Sequence, residues 1–426
     1  MFIALQFRNI NIMNQHPEKN ITFDNTALAF AYKTDNELRK ANFLFSLMGS
    51  PFIIKWGLKV LPIAIRLRLP LVKTLLRKTI FHQFVGGETL EQTDIVVDKL
   101  EKYNVNVILD YGVEGGEGEK LFDEATTQFI KVIDYAANQT NIPFISIKVT
   151  GIARFNLLEI IDAAMRNSDG NTLMKRYYTV IESLSIEHKE EWQRCVARLH
   201  KICDDANNKN IAVLVDAEES WIQDPVDALT ILMMDAFNRN KSVVYNTIQL
   251  YRHDRLEFLK ASFEAANERQ FILGTKLVRG AYMEKERARA TEKNYPSPIQ
   301  DNKEATDSDY NEAIAFSINN IDKIALIVAS HNEASNLYAT SLLSQKGIEG
   351  HHPHIHFSQL YGMSDNITFN LASSGFSVSK YLPFGPIKDV VPYLMRRAQE
   401  NSSVAGQTGR ELGLIKRERE RRRGKV

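Results

Sequence analysis

From about Val105 onward, short apolar runs rich in Val and Ile alternate with longer stretches patterned for helices. The runs are Val105–Leu109, Phe144–Val149, Ile211–Val215, Val243–Leu250, Ile272–Val278, Ile324–Ala329, His354–Leu360 and Phe376–Leu382. Between them lie amphipathic stretches such as Lys120–Asn138, Asp224–Asn240, Arg252–Arg269, Glu333–Gln345 and Ile387–Asn401. Near-continuous apolar strands separated by helices predict a parallel sheet buried on both faces. Eight strand–helix units fit an α/β fold of the distorted (βα)8, TIM-like kind better than a doubly wound sheet. The polar insertion Asn167–Glu187 reads as extra helix or loop. Upstream, Asp35–Leu47 is patterned as an amphipathic helix. The expected organisation is an N-terminal helical arm over 1–95, the barrel over 96–405 and a basic tail over 406–426 that frays.

Polar and charged residues stand where the predicted strands end: Asp110 with Glu114, Lys148, Asp216 with Glu218, Gln249, Arg279, His331, Tyr361 and Tyr381. In a barrel these ends converge on one mouth, where the active sites of this fold lie. Burying such groups unpaired is costly, so they must pair with each other or with ligands. That pattern points to an enzyme. Lys148, flanked by apolar strand residues, is expected to point inward, with Asp216 and Glu114 as partners that keep it cationic. A Schiff-base lysine is the competing role. Arg279, in Leu-Val-Arg279-Gly280-Ala281-Tyr282, is expected to project into the mouth, and Gly280 allows close backbone approach. A structural ion pair at the rim is the alternative for Arg279. Gln249 offers a donor and an acceptor, and His331 a polar ring. On the helix after the eighth strand, Arg396 and Arg397 are adjacent, and Glu400 stands i+3 from Arg397. A guanidinium so held presents a planar fork to a small carboxylate; a solvated helix end is the bland alternative.

Composition adds mainly exclusions. The 426 residues are 44% hydrophobic and 25% charged, ordinary for a globular protein, and a net charge of +1 gives no global pull toward nucleic acid. Cys195 and Cys203 fall eight apart on one predicted helix and read as buried, reduced thiols. No stretch of 18 apolar residues predicts a membrane span, and no secretory signal pattern opens the chain, so a cytoplasmic location is expected, with Met13 a candidate start. Pro51–Thr79 interleaves apolar residues with Lys55, Lys59, Arg66, Arg68, Lys73, Arg77 and Lys78. It reads either as an arm packed on the barrel or as a helix lying in a membrane interface. The tail Lys416–Val426 reads as solvated or as a tether to anionic lipid. Gly112–Gly118 is glycine-rich but lacks the dinucleotide-binding spacing. His351, His352, His354 and His356 run from a loop into a strand, so their rings diverge and no metal is expected.

Read in order, Ile-Lys148, Asp216-Ala-Glu-Glu, Ile-Gln249-Leu-Tyr, Leu-Val-Arg279-Gly-Ala-Tyr, Ser-His331-Asn and Tyr393-Leu-Met-Arg396-Arg397-Ala-Gln-Glu400-Asn401 resemble the proline dehydrogenase family. The resemblance covers roughly residues 100 to 405. It implies a distorted (βα)8 barrel with FAD at its mouth and a helix over the opening. Arg279 would sit near the flavin N5 region and Gln249 near the isoalloxazine edge. His331 would contact the phosphate or ribitol part, with Gly280, Ala281 and Tyr282 nearby. Arg396 and Arg397 would hold the carboxylate of L-proline, with Lys148 as a further cation. Glu400 and Glu114 would hold those cations, Asp216 would pair with Lys148, and Tyr381 would pack against the pyrrolidine ring. The implied reaction is oxidation to Δ1-pyrroline-5-carboxylate, with electrons passed to a membrane quinone through peripheral contact with the inner membrane. Hydroxyproline is the nearest alternative substrate, and the bulk of Tyr381 argues against it.

Overall fold

Eight short strands close on themselves in chain order, each parallel to its neighbours. They are β1 (Asn106–Tyr111), β2 (Phe144–Ile147), β3 (Ala212–Val215), β4 (Val244–Gln249), β5 (Leu273–Val278), β6 (Ile324–Ala329), β7 (Ile355–Leu360) and β8 (Val378–Phe384). The structure is a computed structural model that describes residues 21–50, 76–112, 117–403 and 407–424. The expected parallel barrel is therefore present, and each strand begins within two residues of its apolar run.

The strand register decides which side chains face the lumen. Phe144 pairs with Ala212, Leu214 with Tyr245, and Ile108 with Tyr381; these residues, with Ala325 and Ile327, form a small core inside the barrel. Side chains alternate along a strand, so Asp110, Ser146, Thr247 and Lys276 share that inward face. The opposite parity faces the helices in a much larger core that includes Leu109, Val213, Leu277 and Trp192. Lys380, between inward Ser379 and Tyr381, is turned outward and is fully buried.

Before β1 come α1 (Thr26–Ala29), α2 (Asp35–Met48), helical turns over Arg77–Phe81 and His82–Phe84, and α3 (Leu90–Glu101). Helix α2 opens with a capping box between Thr34 and Glu37. Within the barrel run α4 (Glu119–Ala137), α5 (Phe155–Arg166), α6 (Leu173–Ser183), α7 (Ile186–Asn208), α8 (Gln223–Phe237), α9 (Arg255–Arg269), α10 (Met283–Lys293), α11 (Lys303–Asn319), α12 (Glu333–Gln345) and α13 (Asp365–Ser373). The insertion is thus helical over α6. Cys195 and Cys203 are free and buried on α7. After β8 come α14 (Ile387–Ser403) and α15 (Gln407–Arg422).

The tail does not fray. Leu414 and Ile415 of α15 are buried with Phe45 of α2, Phe84, and Val390 and Leu394 of α14 in a second core beside the barrel. Arg410 pairs with Asp24 and Glu333, and Arg422 with Asp35, so much of the basic charge is spent on the arm. The run of arginines in the sequence masks this short apolar stripe. Of the basic segment Pro51–Thr79, expected to pack on the barrel or meet a membrane, residues 51–75 lie outside the described residues. Among the described residues no helix is long and apolar enough to cross a membrane.

Candidate active site

At the C-terminal end of the lumen a carboxylate is held between two lysines. Asp216 follows β3 and pairs with Lys276 of β5 and, at 4.0 Å, with Lys148 at the end of β2. Lys148 also reaches Asp110 of β1 at 3.8 Å. The Tyr381 hydroxyl donates to Asp216 Oδ2 at 2.7 Å and lies 3.2 Å from Ser146 Oγ. The Lys276 ammonium stands 5.3 Å from the centre of the Tyr381 ring. Burial pushes the Asp216 carboxyl up, but Lys276 and Lys148 together outweigh it and hold it below its ordinary value. At Asp110 burial wins over the attraction of Lys148, and its carboxyl is raised. Burial, then Asp110 and Asp216, drive the Tyr381 phenol well above its usual range, so it stays a donor.

Beside this cluster, Gln249 donates to the Glu218 backbone carbonyl at 2.7 Å. The Glu218 carboxyl accepts from the Thr150 hydroxyl at 2.6 Å and from its backbone N–H at 3.2 Å. Burial lifts that carboxyl to about 7 despite the Thr150 bonds. The inward hydroxyl of Thr247, next to Lys276, is buried and finds no hydrogen-bond partner among the described residues. Two ammoniums, an amide and an unsatisfied hydroxyl form a donor set suited to the electron-rich edge of a redox ring.

Arg279 departs from expectation. It lies at the rim and is turned away from the lumen, donating to Asp307 of α11 at 2.7 Å, to Ser330 Oγ at 2.6 Å and to Ser335 Oγ of α12 at 3.0 Å. The reason is parity: inward Lys276 and Val278 leave Arg279 on the outward side. Sequence reasoning missed Lys276, although a lysine inside a strand buried on both faces was a signal. Tyr381 sits within β8, which runs on to Phe384, and Tyr361 turns outward into the helix-side core. Gly280 has φ +142, and a Cβ there would meet the Tyr251 ring at 2.4 Å, so the backbone does pass closely as the motif suggested. Ala281 follows it in the loop to α10.

Helix α14, which follows β8, reaches the start of α10 after β5 through Arg396. Arg396 lies 5.9 Å from the ring centre of Tyr282, which caps α10, and buried Arg397 lies 5.1 Å from that of Tyr393. His331 Nδ1 meets Ser364 Oγ at 2.8 Å. Burial, reinforced by Lys380, Arg397 and Arg279, lowers the His331 imidazole to about 3, so the ring is neutral. Of the remaining expected residues, Glu114 lies outside the described residues, and Glu400 is on α14 with its side chain outside them. The clustered histidines diverge only in part: His351 faces Glu349, His354 the Ile321 carbonyl, and His356 the Ser379 hydroxyl inside the barrel, but the His352 and His354 rings pack edge to face at 5.6 Å.

Comparison with known proteins follows the same lines. The family model for proline dehydrogenase matches residues 95–410. A hydroxyproline dehydrogenase of Xenopus laevis is 31% identical over 412 residues, which cover 92% of this chain and 88% of that protein. The mitochondrial proline dehydrogenase 1 of Dictyostelium discoideum is 32% identical over 377 residues, 82% of this chain and 65% of the relative. Among solved structures, proline utilization A from Bdellovibrio bacteriovorus superposes with a TM-score of 0.66 at 21% identity, over 89% of this chain. The chain spans 38% of the length of that larger protein, and the likeness speaks for the fold. The chain belongs to the proline dehydrogenase family and is an oxidoreductase of that family.

Proposed function

We propose that this protein oxidises L-proline to Δ1-pyrroline-5-carboxylate with FAD bound at the barrel mouth, and passes the electrons to a membrane quinone. The observation that carries the reading is the Asp216–Lys276–Lys148–Tyr381 cluster at the C-terminal end of the lumen, with Arg396 of α14 brought to the loop that follows β5. FAD, when bound, accepts the hydride from the ring carbon next to the proline nitrogen. Lys276, rather than Arg279, is the β5 cation placed for the reacting edge of such a ring, with Gln249 and Thr247 alongside. Arg279 and His331, at the rim, are placed for its phosphate and ribitol part. Arg396 and Arg397 hold the substrate carboxylate, with Lys148 below them and Glu400 and Glu114 as supporting carboxylates. Fixing the carboxylate decides which carbon faces the acceptor, a proximity effect.

Purified protein should be yellow and should bleach on addition of proline. Arg396→Met or Arg397→Met should raise KM for proline steeply and leave the colour intact; loss of FAD instead would move those arginines to the cofactor. Hydroxyproline is the second reading, favoured by the Xenopus relative. Tyr381 speaks against it, because two hydrogen bonds pin its ring where a C4 hydroxyl would need room. The ratio of kcat/KM for the two substrates decides between them.

A further inference from the structure

A line of buried polar groups connects the C-terminal helix to the barrel mouth. Glu411 of α15 is 4% exposed, and its carboxyl accepts the backbone N–H of Ser364. Ser364 is the residue before α13 and adopts a left-handed conformation, φ 50, that a residue with a side chain rarely takes. Its hydroxyl is the group that meets His331 Nδ1. Arg410, beside Glu411, pairs with Glu333 in the first turn of α12, two residues after His331. The helix is thus fastened on both sides of the same histidine.

We propose that Glu411 and Ser364 are positioning residues for the cofactor. They orient His331, so that α15 takes part in holding FAD. This rests on the FAD reading above. Because His331 is neutral, one ring nitrogen carries the only proton. With the Ser364 hydroxyl as the donor to Nδ1, that proton lies on Nε2, where it would donate to a phosphate or ribitol oxygen of the cofactor. Ser364 holds this geometry in a left-handed conformation, and the bond to Glu411 fixes its N–H. The groups facing Glu411 are Asp365 and Lys380 of the barrel and Lys33 of the arm; burial lifts its carboxyl to about 7, and either protonation state still offers an accepting oxygen.

The test is the rate of FAD release from the purified holoenzyme, with thermal unfolding measured in parallel. Ser364→Gly removes the hydroxyl and places at φ 50 the residue best suited to it. It should release FAD about tenfold faster, as loss of a hydrogen bond to a bound group predicts, without a lower Tm. Glu411→Leu should speed FAD release likewise, whereas Glu411→Gln, which keeps an accepting oxygen, should stay within about twofold of wild type. With FAD saturating, KM for proline should be unchanged in all of them. If Ser364→Gly releases FAD at the wild-type rate, the positioning role is wrong, whatever Glu411→Leu does to folding. If the wild-type protein binds no FAD, the functional reading fails instead, and that is visible before any variant is made.

Discussion

Two aspartates on opposite sides of the barrel wall have nearly the same company. Asp216, inside, faces Lys276, Lys148 and the Tyr381 hydroxyl. Asp365, outside, faces Lys380 at 2.9 Å, Lys33 at 3.6 Å and the Tyr32 hydroxyl at 2.7 Å. At both, burial pushes the carboxyl up and two lysines bring it below its ordinary value. The two sites are joined through consecutive residues, because Tyr381 points into the lumen and Lys380 out of it. The difference is what lies above them. Asp216, at the mouth of the lumen, is 13% exposed, whereas Asp365 is 3% exposed and enclosed by α1 and α13, and its lysine donates at 2.5 Å to the Met363 carbonyl. Residue chemistry alone does not mark an active site in this molecule; position relative to the lumen does.

Removing a lysine from each site should separate the two roles. Lys380→Met leaves Asp365 with Lys33 and the Tyr32 hydroxyl alone and strands the Met363 carbonyl, and should cost about 3–5 kcal/mol of stability in urea unfolding. A cost below about 1 kcal/mol would mean that the outer site is not the buttress described. Lys276→Met acts where the site opens to ligands. It should lower kcat/KM for proline by about 100-fold, as removal of one preorganised electrostatic group does, with the smaller loss of stability of the two. If both variants lose stability and activity in equal measure, the comparison breaks down.

Glu218 and Glu411 sharpen the comparison at the level of protons. Burial lifts both carboxyls to about 7 from an ordinary value of 4.5, one beside the lumen and one beside the outer site. A raised carboxyl keeps its proton in the folded state after the unfolded chain has lost it. Its contribution is therefore fully present below about 4.5 and is lost as pH rises toward about 7. Glu218→Gln and Glu411→Gln should each flatten the fall in stability across that window, measured by denaturant titration at several pH values. Equal flattening would show that burial sets both values; flattening by one alone would single out a site under further constraint.

The fold was legible because strands of a parallel barrel are apolar on both faces and stand out as continuous runs. Strand parity was not legible, because it depends on register across the sheet. Reading β8 as ending at Leu382 made Tyr381 a strand end, when it is an inward residue two places before Pro383 pairs with Asp110. The same ambiguity put Arg279 in the lumen and hid Lys276. Asp216, Lys148, Tyr381 and Gln249 do gather at the C-terminal end of the lumen, because each shares the parity of the small inner core. The docking of α15 was out of reach for a different reason. Its contacts, such as Arg410 with Asp24, span 386 residues, and no local pattern announces them.

The smallest effect concerns those surface contacts. Arg417 is 49% exposed and Asp24 62%, at a separation of 3.2 Å, and Asp24 also accepts from Arg410, the pair lowering its carboxyl. Exposed pairs of this kind contribute about 0.2–1 kcal/mol and are screened by salt. Arg417→Ala should therefore destabilise by less than about 1 kcal/mol at low salt, and the difference should vanish near 1 M salt. A loss above about 2 kcal/mol would mean that charge, and not the buried Leu414 and Ile415, holds α15 in place. The small value is the one that fits the contrast across the wall: charges shape this protein where they are buried, and at its surface they mainly choose partners.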